Sequence, residues 1–354
     1  MRVAPARNYI LLFSDHGGGY TVWGDYPKTR SIVTDNFHEG NPGISICDIR
    51  DGIAKSNLKH VKMVNFDACL MNSIEVISEL TEVTDYVLAS SFLTSGCDYT
   101  DFINYLRGAG DNAFEQQMSG YLNNAIQVYS QKTEDKNAQY LPASDPKKKR
   151  CNWVLTNTAV FRAEVLPALK AFTTKLVNED ASNFGATGLQ DAANNCYHPD
   201  ASGSFYDIGQ YITLLAKANN NLTAEAAAVK AAIEKAQVCH YYTTAVLGDL
   251  SALDYQKLSC SVNLGAQKSN NPIVVCLRGG TPDDQGKILY YGSDGNCYDF
   301  DTNTDTWDPA IAYFANYAWD NTYRTTAFDK ATGWSKWLEK NTAFPTGNPP
   351  FVCK

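Results

Sequence analysis

This chain of 354 residues contains no apolar run approaching the ~20 residues that a membrane-crossing helix needs. Its first residues carry one or two charges but no apolar segment of the kind that marks an export signal. Positive charge is in short supply: the formal net charge is −8, which argues against nucleic acid as a partner, because phosphate binding needs clustered cations. An acidic surface favours basic substrates, weakly and in a salt-dependent way. The ten cysteines include no Cys-x-x-Cys pair, and only Cys196 with His198 and Cys239 with His240 bring a histidine close. Metal-site spacing is therefore missing, and no metal cofactor is expected. An even cysteine count permits disulfides without showing them. No internal repeat, low-complexity tract or EF-hand ligand series is present, so calcium has no motif behind it, although Asp283, Asp284, Asp299 and Asp301 are acidic enough to bind it weakly.

What is present is a pair of short apolar runs, residues 8–14 and 61–66, each with the pattern of a strand buried in a sheet. One ends at His16 before three glycines, the other at Cys69 after Asp67-Ala68. Strand ends at the carboxyl edge of an open α/β sheet are where ligand sites form. The two residues are 53 positions apart, room for a loop, a helix and a return strand. That crossover makes the strands parallel and brings both ends to one edge. Singly, a buried cysteine is most often an inert small hydrophobe and a lone histidine a hydrogen-bonded core residue. Side by side at one sheet edge, the two contexts are where a nucleophile and its partner should sit.

The motifs Asp15-His16-Gly17-Gly18-Gly19 and Phe66-Asp67-Ala68-Cys69-Leu70-Met71, followed by Glu75, resemble those of the clostripain family of cysteine peptidases. Residues 85–90 and 332–338 are similar to that family's next strand and C-terminal helix. The resemblance implies an α/β, caspase-like fold: a mostly parallel sheet flanked by helices, with a C-terminal α+β extension. It implies a His16/Cys69 dyad, with backbone N–H groups of Gly17 and Cys69 as oxyanion donors. It also implies cleavage after Arg or Lys, since a guanidinium in a pocket must be paired. Asp67 then points to the pocket floor, with Thr94 and Asp98 beside it; Asp101 competes with Asp98 for that role, and Asp67 could instead cap the next helix or brace the loop.

Several family members self-process at a basic residue between the two motifs, so the resemblance makes the bond between Arg30 and Ser31 the first choice here and the basic run 147–150 the runner-up. The expected partners are proteins or peptides with Arg or Lys at the cleavage site. Secretion or a cell-surface location is expected from the family alone. Only about eight residues precede the first strand, where the family has a further strand and helix, so the chain reads as a processed fragment. The alternative is a caspase-like surface or interaction protein that has lost activity.

Along the chain, residues 1–131 read as the catalytic core, 132–150 as a basic mobile linker, and 151–354 as the rest of the domain plus the extension. Residues 20–42 read as loop. Helices are expected at 44–58, 73–80 (its dipole favouring the thiolate), 101–107, 112–131, 163–178, 205–218, 223–237, 308–317 and 332–340. Strands are expected at 86–91, 153–156, 241–246, 258–264, 273–277 and 288–291, the last two forming a small antiparallel unit. His38, His60, His198 and His240 receive no role.

Overall fold

Alternation along a strand decides which layer each side chain enters, and this computed structural model follows it closely at the centre of the molecule. Residues 6, 8–15, 17–18, 31–34, 43–92, 99–107, 114–126, 150–199, 205–253, 257–263, 275–276, 287–291, 297–301, 306–308 and 326–341 are described. A five-stranded sheet takes β1 (Ile10–Ser14), β4 (Val61–Asp67), β5 (Thr84–Ala89), β6 (Asn152–Asn157) and β8 (Gln237–Tyr242) in that order. The intervening β2 (Ser31–Thr34) and β3 (Gly43–Ser45) form a separate two-stranded ribbon. β1, β4 and β5 are parallel, while β6 runs antiparallel to both β5 and β8. The sheet therefore draws strands from both sides of the 132–150 segment, most of which lies outside the described residues.

β4 is buried on both faces. Val64 and Phe66 join a core with Ile46, Ile49 and Ile53 of helix Ile46–Lys55 and with Ile74, Ile77 and Leu80 of helix Ile74–Leu80. Met63 faces the other way, with Phe102, Met118, Tyr121 and Trp153. Burying a side chain of this size contributes roughly 1.5–3 kcal/mol. Ser45 and Asp48 close a capping box at the start of the first helix, which fixes where β3 ends. Helix Leu166–Asn178 and the C-terminal helices Ala327–Thr332 and Ser335–Asn341 cover the first core, with Phe328, Trp334 and Trp337 inside it. Glu79, buried on helix Ile74–Leu80, accepts from Arg50 and from the backbone N–H of Ala327 at 2.7 Å, and so ties three elements together.

Several boundaries differ from the sequence reading. The 20–42 loop contains β2. Phe205–Asp207 is a strand, β7, paired with β9 (Ser261–Asn263), because Asp207 caps the helix that follows and so starts it at Ile208. The strand expected at 241–246 stops at Tyr242, and Thr244–Ala252 is helical. The C-terminal antiparallel unit has four strands, β10 (Val275–Cys276), β11 (Lys287–Tyr291), β12 (Cys297–Asp301) and β13 (Thr306–Asp308), so Asp308 ends a strand where a helix was expected to begin.

Candidate active site

β1 and β4 run side by side in register, Phe13 against Phe66 and Ser14 against Asp67. Both chains leave the sheet at the same edge. His16 itself lies outside the described residues, but its neighbours Asp15 and Gly17 do not. Gly17 backs directly onto the other strand's exit: a Cβ built there would stand 2.3 Å from the Cys69 carbonyl oxygen, 2.8 Å from its amide nitrogen and 2.9 Å from the Ala68 Cβ. Only glycine permits that approach.

Cys69 is partly exposed, set after the buried Asp67 and Ala68. Leu70 next to it has φ +63°, a left-handed conformation that costs a residue with a Cβ roughly 1–2 kcal/mol. The corner is held from the side of β5: Leu70 N–H donates to the Phe92 carbonyl at 3.1 Å and Asn72 N–H to that of Ser90 at 2.9 Å. Four residues separate Cys69 from the first turn of helix Ile74–Leu80, whose cap is Ser73. The field of a helix end fades within a turn, so the dipole argument made from sequence loses its force.

Asp67 is buried, and its Oδ2 accepts from Ser14 Oγ at 3.1 Å and from Tyr99 Oη at 2.5 Å. It joins the end of β1 to the start of helix Tyr99–Leu106. It does not cap the helix after the nucleophile. Tyr99 had no role in the sequence reading, although it ends the loop in which Thr94 and Asp98 were chosen. Thr94, Asp98 and Arg30 lie outside the described residues, as does the Asp101 side chain. Ser31 opens β2, opposite Ser45. The guanidinium of Arg150, the runner-up cleavage residue, is gripped by Asp249 through Nε and through Nη2 at 2.7 Å, and Tyr197 Oη donates to the same carboxylate at 2.8 Å.

Of the described histidines, His60 and His240 stand away from this corner. His60 precedes β4 at the opposite edge of the sheet and bonds Asp85 at 2.8 Å. His198 packs on the Tyr206 ring at 4.2 Å. His240 sits in β8, three strands from β4, stacked on Tyr242, and burial pushes its pKa down to about 4. Among the described residues no group of three His, Cys, Asp or Glu side chains is placed to hold a metal ion, and no helix is long and apolar enough to cross a membrane.

The family model described as "Clostripain family" matches residues 2–340. No curated protein matches the chain. Among solved structures, a secreted C11 cysteine protease from Bacteroides thetaiotaomicron in complex with an irreversible peptide inhibitor is 17% identical, with TM-score 0.51, and the match covers 93% of this chain and 73% of that one. An inactive zymogen C11 protease from Parabacteroides distasonis is 14% identical, with TM-score 0.50, over 93% of this chain and 71% of that one. At such identities the likeness shows the fold: a mixed sheet with a mainly parallel core, flanked by helices.

Proposed function

Since the chain belongs to the clostripain family of cysteine peptidases, we propose that it is an endopeptidase that cuts after Arg or Lys, with Cys69 as nucleophile and His16 as its partner. The observation that carries the reading is the contact of Gly17 with Cys69 across neighbouring strand ends. It sets the residue beside His16 against the sulfur-bearing residue, while His60 stands at the opposite edge of the sheet and His240 three strands away.

In this reading the Cys69 thiolate attacks the carbonyl carbon of the scissile peptide, and the N–H groups of Gly17 and Cys69 receive the oxyanion. Removing one such donor typically costs ~10²–10³ in rate. The carbon–nitrogen bond then breaks, the amine leaving with a proton from His16. Water attacks the thioester, gives its proton back to His16, and releases the acid and the thiolate. The buried carboxylate of Asp67 pairs with the basic side chain before the cut, with Thr94 and Asp98 completing that pocket.

Self-processing between Arg30 and Ser31 belongs to the same proposal, since a solved neighbour of this fold is an inactive zymogen. Arg150 is the poorer substrate, because its guanidinium must first leave Asp249. The expected substrates are proteins or peptides, met outside the cell. An Arg-based chloromethyl ketone should add one mass label at Cys69, and fluorogenic peptides ending in Arg or Lys should outrun those ending in Asp, Asn or Leu. A Cys69→Ala variant that still turns over peptide would remove the dyad, and unlabelled Cys69 with no turnover would favour a non-catalytic interaction protein.

A further inference from the structure

The corner that presents Cys69 does not hold itself. Leu70 is left-handed, and the two backbone bonds that fix the turn both end on residues 90–92, just past β5. Where Cys69 sits is therefore decided by where that short segment sits. Residues 90–92 in turn are held by side-chain amides from two distant places. Asn152, the first residue of β6, accepts at Oδ1 from the Ser91 N–H at 2.7 Å and from Ser90 Oγ at 3.1 Å, and its Nδ2 donates to Ser91 Oγ at 3.4 Å. Asn72 donates from Nδ2 to the same Ser91 Oγ at 2.9 Å. Its backbone carbonyl accepts from Ser261 N–H at 2.9 Å and Ser261 Oγ at 3.1 Å, which adds β9 to the frame. Asn72, Ser90, Ser91, Asn152 and Ser261 are all buried. Hydrogen bonds of this kind, screened from water, are stronger than the same bonds in solvent.

We propose that Asn72 and Asn152 are positioning residues for the nucleophile: their amides converge on Ser91 and hold residues 90–92 as the rail against which Cys69 is set. The inference rests on Cys69 being the nucleophile. The two amides act through Ser91, so each fixes the attack geometry of the sulfur and neither contacts the reacting atoms.

The test compares Asn72→Ala, Asn152→Ala, the double variant and Ser91→Ala in the full chain, on an Arg-ending fluorogenic peptide, with thermal melting to show that each is folded. Misplacing a reacting group by about 1 Å costs up to ~10²-fold, so each single variant should lose about 10- to 100-fold in kcat with KM held within ~3-fold. The double variant should lose little more than the worse single, because both amides hold one residue, Asn72 through the Ser91 hydroxyl and Asn152 through its N–H and hydroxyl. Ser91→Ala, which removes the bond from Asn72 but leaves the Ser91 N–H on Asn152, should reproduce the Asn72→Ala effect, and Asn72→Ser, which keeps a short donor, should recover part of it. Folded variants with unchanged kcat, or with the loss confined to KM, overturn the proposal. If an asparagine variant fails to fold, Ser91→Ala, which deletes one hydroxyl, decides alone. Cys69→Ala, run alongside, separates the two failures: activity there removes the dyad, whereas an inactive Cys69→Ala beside fully active amide variants removes only this inference.

Discussion

Gly17 and Cys69 meet with no room for a side chain between them: the space a methyl group would fill at Gly17 lies 2.3 Å from the Cys69 carbonyl oxygen. The obstructing atoms are backbone on a strained turn, so Gly17→Ala must push one strand end away from the other. Overpacking of this kind costs about 1–3 kcal/mol. A shift near 1 Å at a reacting centre costs up to ~10²-fold. We expect Gly17→Ala to lose about 100-fold in kcat/KM while still melting cooperatively, and steady-state kinetics alongside calorimetry checks it. Wild-type turnover in that variant would mean that the closeness of the two strand ends is incidental to the chemistry.

Tyr99 offers a way to probe the proposed specificity pocket without touching its carboxylate. Its hydroxyl donates to Asp67 Oδ2 at 2.5 Å, and hydrogen bonds to charged groups contribute about 1.5–3 kcal/mol. In Tyr99→Phe the carboxylate loses a partner that orients it, so a bound Arg or Lys side chain meets a less ordered group. KM for Arg- and Lys-ending peptides should rise by roughly tenfold, with a smaller change in kcat. An unchanged KM, with the variant folded, would assign Asp67 to bracing β1 against helix Tyr99–Leu106 alone.

The frame of the site was legible because its signals are local. An apolar run that stops at Gly17-Gly18 and another that stops at Ala68-Cys69 identify two buried strands by composition, and the 53-residue gap fixes them as parallel. The supports were not legible, for a reason that is equally physical. Asn72, Ser91 and Asn152 are polar residues whose meaning comes from long-range pairing: the bonds between Ser91 and Asn152 span 61 positions, and nothing in either neighbourhood announces it. β7 was missed because Asp207, one residue, shifts the start of a helix that the apolar periodicity of 205–218 carries straight through.

Arg150, Asp249 and Tyr197 anchor helix Thr244–Ala252 to the chain just before β6. Burial alone would raise the Asp249 pKa, but hydrogen bonds from Arg150 and Tyr197 outweigh it and hold the carboxyl below the usual range. A carboxylate depressed in the folded state binds fewer protons there than in the unfolded chain, so its contribution is full above the unfolded value of about 3.9 and fades as pH falls through the folded one. Asp249→Asn should therefore be less stable than the wild type by a constant amount near neutrality. That gap should close below about pH 4. Urea unfolding at a series of pH values measures it, and a gap that widens on acidification contradicts the assignment.

Asn65 lies one pleat below Asp67 on the same face of β4, flanked by Leu12 and Leu88 on the neighbouring strands. It is fully buried, and neither its amide nitrogen nor its oxygen has a hydrogen-bond partner. An unsatisfied buried amide costs about 1–3 kcal/mol relative to an apolar group of the same shape, and leucine nearly matches asparagine in outline. Asn65→Leu should accordingly gain about 1–3 kcal/mol of stability, read as a higher denaturant midpoint at unchanged slope. Most buried substitutions destabilise, so the expected sign is the opposite of the default and a single unfolding curve discriminates. A loss of stability would mean that the amide is satisfied in solution, by a water bridging it toward Asp67.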